Sequence, residues 1–343
     1  MHLAHRGHPL HTRALGVELV QEARGRVAAA ATLLDLRKRG FVPVGGDLQP
    51  AGIVHQMRLD GAIDGADRTV VRLEAAQPTV AFEPSPALGG ESCRDVAGNV
   101  AGLIGTRLGD DWGPRVAAAI GGPRGCYHVL TLAHLLGSTA AWALGREAAL
   151  RPDAGPRPAG QRIFRRDVVI DGADAGGGTL AVALQATDLH RTDASGGGPA
   201  MDRFAESCEV RVHALVDLAT MTFTELAIGE RRRARASIDA APWRMRDDVT
   251  AGLVGEPALR GSSGRLLARL GEVADDRPVL DALLQVAPAL IQVFAALSDD
   301  WARAAARGGW VLGMGGQPDS CWMWRRGGAL ERLRTAADPA RSY

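Results

Sequence analysis

ATLLDLRKRG (residues 31–40) closes an alternating apolar segment with Asp35-Leu36 and a basic turn, and ALQATDLHRTD (183–193) does the same with Asp188-Leu189. The two aspartates stand 153 positions apart. HQMRLDGAIDGADRTVVRLEAA (55–76) and CEVRVHALVDLATMTFTELAI (208–228) align at the same offset through Asp64 and Asp217. HTRALGVEL (11–19) pairs with FRRDVVID (164–171), and NVAGLIGTRL (99–108) with VTAGLVGEPAL (249–259) at 150 positions. Four segments in one order at nearly one offset are read as an internal duplication.

Each copy changes period midway. GVELVQEARGRVAAAATLLDL suggests two strands, GIVHQMRLDGAID a third and RTVVRLEAA a fourth, with turns at Gly45-Gly46 and Asp64-Gly65. RDVAGNVAGLIG, GPRVAAAIGG and VLTLAHLLGSTAAWAL then carry apolar residues three and four apart, as helices do. Strands followed by helices predict an α+β fold: two tandem pseudo-symmetric copies, each an antiparallel β-meander with helices packed on one face. The first copy is placed at 8–150 and the second at 161–300. RPDAGPRPAG (151–160) reads as a linker. Residues 301–343 form a Trp-rich extension.

Hydrophobic residues make up 46% of the 343, enough for packed cores. With 40 basic and 39 acidic residues, no general grip on nucleic acid or an anionic membrane is expected. Lys38, the single lysine, lies in a polar turn and reads as solvated rather than as a Schiff-base former. The polar N-terminus does not read as a signal peptide, and no apolar run is read as a membrane span. Cys93, Cys126, Cys208 and Cys321 are too widely spaced for a secreted disulfide framework, so a reduced, cytoplasmic setting is expected.

His55, Cys93, Cys126 and His128 stand at predicted element ends in the first copy. In GGPRGCYH (121–128) a glycine-rich turn enters an apolar helix, so Cys126 is expected at the helix N-terminus, where exposed N–H groups favour a thiolate. Residues two apart do not share a helix face, so Cys126 and His128 can converge only from the turn or the first helical residues. Two thiolates and two imidazoles suit zinc or another borderline ion. The same residues also serve as small buried hydrophobes and a satisfied strand histidine. At the repeat offset His55 falls on Cys208, Cys93 on Trp243, and Cys126 and His128 near Arg277 and Val279. The second copy therefore cannot repeat the site.

GIVHQM, the loop Cys93 and GGPRGCYHVLTL resemble the bacterial domain-of-unknown-function family 2889. Its members show an Ile/Val-His-x-Met strand, one loop cysteine and a Gly-Cys-Thr-His-Leu motif. Here Tyr127 stands for the Thr and Val129 for the Leu. PDSCWMWR (318–325) resembles the family's C-terminal cysteine segment, which brings in Cys321 as a further ligand. The resemblance fades over the second copy and implies no established activity. The element order is also similar to that of iron–sulfur cluster scaffold proteins, a likeness of fold alone.

The histidines His2, His5, His8 and His11 recur every third residue, and a frayed terminus is the simpler reading than a metal-binding arm. Trp310, Trp322 and Trp324, with Met314 and Met323, form either a cap across the domains or the floor of a pocket for a flat ligand. Arg325 and Arg326 suit a ligand carboxylate. LGDDWGP (108–114), with Asp110, reads as a helix start. Common hydrolase and P-loop motifs are absent, and no nucleotide cofactor is expected.

The sequence thus suggests an enzyme of lyase or hydrolase type for a small aromatic or acidic organic molecule. One mode uses zinc held by His55, Cys93, Cys126 and His128. The other uses Cys126, Tyr127 and His128 for metal-free acid–base or nucleophilic work, with Trp322, Trp324 and Arg325 toward the substrate. The alternatives are a non-enzymatic metal-binding or iron–sulfur scaffold-like protein, and a structural module that forms a homodimer through its Trp-rich tail.

Overall fold

The computed structural model describes residues 7–38, 42–44, 47–49, 51–109, 111–192, 203–234, 241–297 and 316–337. Four long strands open the chain: β1 (His8–Gln21), β2 (Arg26–Arg37), β5 (Gly52–Asp64) and β6 (Val70–Thr79). A small hairpin of β3 (Val42–Val44) and β4 (Asp47–Gln49) stands between β2 and β5. Then come α1 (Trp112–Ile120) and the 24-residue α2 (Tyr127–Leu150). Strands return as β7 (Arg162–Gly176), β8 (Thr179–Arg191), β9 (Phe204–Asp217), β10 (Phe223–Ala234) and the short β11 (Arg244–Met245). The helices α3 (Asp247–Thr250), α4 (Ser262–Leu270), α5 (Arg277–Leu284), α6 (Val286–Ala295) and α7 (Ala329–Ala337) follow.

The long strands and β11 form one nine-stranded antiparallel sheet, in the order β11-β10-β9-β8-β7-β1-β2-β5-β6. The α+β expectation therefore holds, with both sets of strands in a single sheet joined at β1–β7. From that seam the order runs outward as β1-β2-β5-β6 on one side and β7-β8-β9-β10 on the other. Registers correspond as well: Arg13 lies opposite Asp35 and Asp35 opposite His55, while Arg166 lies opposite Asp188 and Asp188 opposite Cys208.

The strands alternate because one face is buried and the other half-exposed. On β2 the inward positions are Val27, Ala29, Ala31 and Leu33, followed by Asp35 and Arg37, all buried. On β1 they are Leu19, Val17 and Leu15, followed by Arg13 and His11. The buried face is therefore apolar along most of its length and polar at one end. His8 and His11 belong to β1 and are not part of a frayed arm, because pairing with both β2 and β7 fixes this strand from either side. His2 and His5 lie outside the described residues, as do Asp110, Trp310, Met314 and the Gly45-Gly46 turn.

The segment read as a helix over 93–104 is a run of 3-10 turns, Cys93–Leu103. Gly98, Asn99 and Gly102 are poor helix formers, which leaves the capping box of Ser92 and Asp95 without a helix to propagate. The helical run Ala274–Ala295 is long and apolar enough to cross a membrane, by length and composition alone. Most of it is buried against the rest of the protein, as in a core helix.

Gly172 on β7 faces Val293 on α6 so closely that a methyl group there would overlap the valine side chain. Gly172→Ala is expected to destabilise the chain by about 1–3 kcal/mol through overpacking. A shift in the urea midpoint at unchanged slope checks this.

Candidate functional site

The polar end of the buried face gathers around Asp35. Arg13 donates from Nε to Oδ1 at 2.8 Å and from Nη2 to Oδ2 at 2.9 Å. His11 Nε2 lies 3.1 Å from Oδ1, and His55 Nδ1 3.1 Å from Oδ2. His128 comes from the first turn of α2, with Nε2 3.5 Å from Oδ2. Its ring lies over that of His55, centroids 3.7 Å apart. Burial opposes the charge on Asp35, yet Arg13 first, then hydrogen bonds from His11 and His55, hold its pKa well below the usual carboxylate range. Burial lowers the pKa of His11 and His55, and that of His128 further, keeping these rings neutral near pH 7.

His128 is held from both sides. Gln292 on α6 brings its amide nitrogen to 3.0 Å from Nε2. With that amide donating, the ring proton sits on Nδ1 and points to Cys126 Sγ, 3.7 Å away. One ligand atom from each of Asp35, His55 and His128 lies within 4.8 Å of the other two, so the three residues could hold a metal ion.

Of the four expected ligands, His55 and His128 meet in this group, and the carboxylate that joins them, Asp35, was not foreseen. Cys126 is the N-cap of α2, as its glycine-rich turn suggests. Its thiol does not have the lowered pKa expected there: burial outweighs the N–H groups of Val129 and His128 and pushes it up to about 11. Cys93 and Cys321 lie close enough to Cys126 to act on one another electrostatically. The Trp322 N–H donates to Gly125 O at 2.9 Å, laying the tail along the turn before α2. Burial, then the neighbouring Cys126 and Cys321, raise the Cys93 pKa well above the ordinary thiol value. Tyr127 is half-buried with its ring edge-on to His128, centroids 6.2 Å apart.

The side chains expected toward a substrate, Trp322, Trp324 and Arg325, make contacts within the tail and with the first half of the chain. Arg325 stacks 3.4 Å over the Trp322 ring and donates to Glu91 at 2.7 Å and to Trp322 O at 2.8 Å. Trp322 donates from Nε1 to Asp95 at 3.2 Å, and Trp324 meets Phe82 edge-on. Lys38 pairs with Asp171 at 3.1 Å.

A second buried cluster lies across the seam. Arg166 donates from Nε and Nη2 to the two oxygens of Asp188, each at 2.6 Å, in the mode Arg13 uses with Asp35. Its Nη1 donates to Thr139 Oγ1 at 2.8 Å and to Asp281. Asp281 also accepts from Ser138 at 2.6 Å. Asp281 stands 153 positions after His128, as Gln292 does after Thr139. Burial raises the pKa of Asp281. The helices also cross over: α2 supplies Ser138 and Thr139 to the second cluster, and α6 supplies Gln292 to the first.

No curated protein and no solved structure matches the chain. Residues 11–142 match the model of one protein family. The matched stretch holds His11, Arg13, Asp35, His55, Cys93, Cys126 and His128, while Asp281, Gln292 and Cys321 fall outside it. That family is the one described as Protein of unknown function (DUF2889), and the likeness covers the part of the chain from His11 to Trp142.

Proposed function

We propose that the first half of the chain is a binding centre for one divalent transition-metal ion, held by Asp35, His55 and His128. The observation that carries this is the convergence of the three ligand atoms within 4.8 Å, all on buried or nearly buried side chains. Neutral imidazoles are the ligating form, and Asp35 Oδ2 and His128 Nε2 stand 3.5 Å apart, close enough to share one ion. Entry displaces the Gln292 hydrogen bond from Nε2 and leaves Nδ1–H donating to Cys126, a typical support for a ligating histidine. Two imidazoles and a carboxylate suit zinc and leave a tetrahedral ion one open position, as in catalytic rather than closed structural sites. This supports metal-assisted lyase or hydrolase chemistry on a small acidic molecule.

The corresponding registers, strand orders and crossed helix contacts support the duplication. In that reading the second copy has exchanged its metal ligands for a salt bridge. A metal-free nucleophilic role for Cys126 has less support, since a thiol buried to 7% exposure with a pKa near 11 is a poor thiolate source.

Titrating chelator-treated protein with zinc, followed by desalting and elemental analysis, tests the proposal. One zinc per chain is expected, lost in His55→Ala and in His128→Ala and retained in Asp281→Asn. Zinc that survives both histidine substitutions would contradict it.

A further inference from the structure

Arg13 is completely buried, and its Nη1 has no hydrogen-bond partner among the described residues. Leaving a guanidinium donor dry is costly, so its surroundings point to what is missing. The second cluster supplies the comparison. Arg166 holds Asp188 through Nε and Nη2 as Arg13 holds Asp35, and there the third nitrogen is satisfied by the Asp281 carboxylate and the Thr139 hydroxyl. The residues 153 positions away from these are His128 and Gln292. The amide nitrogen of Gln292 and Nε2 of His128 are engaged with each other, and neither residue supplies an acceptor to Arg13 Nη1.

We infer that the first cluster binds a small carboxylate whose oxygen accepts from Arg13 Nη1, in the role the Asp281 side chain plays toward Arg166. A carboxylate suits this donor because the charge-assisted N–H···O bond is stronger than a neutral one. The amide of Gln292, held at His128, is a second donor beside the cluster. His128 is the member of the cluster nearest solvent, its side chain keeping 12% exposure while those of Arg13 and Asp35 keep none. The inference goes beyond the metal reading, because it stands on Arg13 and the second cluster and needs no ion.

The probe is acetate, which is the side-chain fragment of Asp281 without its backbone. Thermal unfolding of the chelator-treated full chain is followed against sodium acetate, sodium phosphate and sodium chloride at matched ionic strength. Acetate should raise Tm saturably, with chloride and phosphate giving no saturable rise. His128→Asp places a carboxylate where the second copy has one, and should fold and lose the acetate response. Arg13→Lys should lose it as well; if that variant does not fold, His128→Asp decides. No saturable acetate effect in the unaltered chain, an equal effect of phosphate, or an acetate response that persists in His128→Asp overturns the inference. Zinc stoichiometry is read separately, so failure of either site leaves the other measurable.

Discussion

Asp35→Ala is expected to lower the stability of the chain by about 3–5 kcal/mol, the usual cost of breaking a buried ion pair by removing one partner. The carboxylate is fully buried and accepts two hydrogen bonds from an equally buried Arg13, with His11 and His55 against its oxygens. Without it the guanidinium keeps its charge, because arginine does not deprotonate in proteins, and among the described residues no other carboxylate pairs with it. Urea unfolding measures the loss. A change under about 1 kcal/mol would mean that Arg13 reaches water or another acceptor and that Asp35 is not the hub of the cluster. The same variant should bind no zinc, but only its stability speaks to the ion pair.

Arg166→Ala should cost a similar amount, again about 3–5 kcal/mol at pH 7, for the opposite electrostatic reason. It leaves the Asp188 and Asp281 carboxylates buried together with no cation between them. One carboxyl can relieve the repulsion by taking a proton. A carboxyl whose folded pKa stands above its unfolded value favours folding more as pH falls, so the deficit should shrink between pH 7 and pH 5. Replacing all three charges with apolar residues, Arg166→Met with Asp188→Leu and Asp281→Leu, should be far milder, within about 1–2 kcal/mol of the unaltered chain. Zinc binding should survive the triple change, since none of these residues touches Asp35, His55 or His128. A triple variant as unstable as Arg166→Ala would show that the cluster does more than neutralise itself.

Much of this architecture is legible in the residues. Period-two alternation locates the long strands, and β5 runs over Gly52–Asp64 as the alternation of GIVHQMRLDGAID suggests. The glycine-rich turn before an apolar run locates Cys126 at the start of α2. Asp35 is harder to see as the centre of a buried polar cluster, because a repeat marker and a candidate ligand look alike in one dimension. Its signal is parity: after Val27, Ala29, Ala31 and Leu33, the next inward position is charged. Burying a carboxylate there requires partners, and Arg13 and His55 occupy the matching inward positions on the neighbouring strands.

Other features depend on contacts that local sequence does not encode. His11 looks like part of a histidine-rich arm until the pairing of β1 with β7, over 150 residues away, fixes it within the sheet. The thiolate expected at Cys126 follows from the helix terminus alone, but burial of the thiol reverses the balance through desolvation. Gln292 is a lone polar residue in the apolar helix VAPALIQVFA, a pattern that signals a specific partner without naming it. That partner, His128, lies 164 residues earlier and on the other side of the seam.

The most direct test of the metal reading is an anomalous difference map from crystals grown with zinc and measured at the zinc edge. One peak per chain, within bonding distance of Asp35, His55 and His128 and with none beside Arg166 and Asp281, is the predicted result. No peak at that position, or a single peak among Cys93, Cys126 and Cys321 instead, would contradict it.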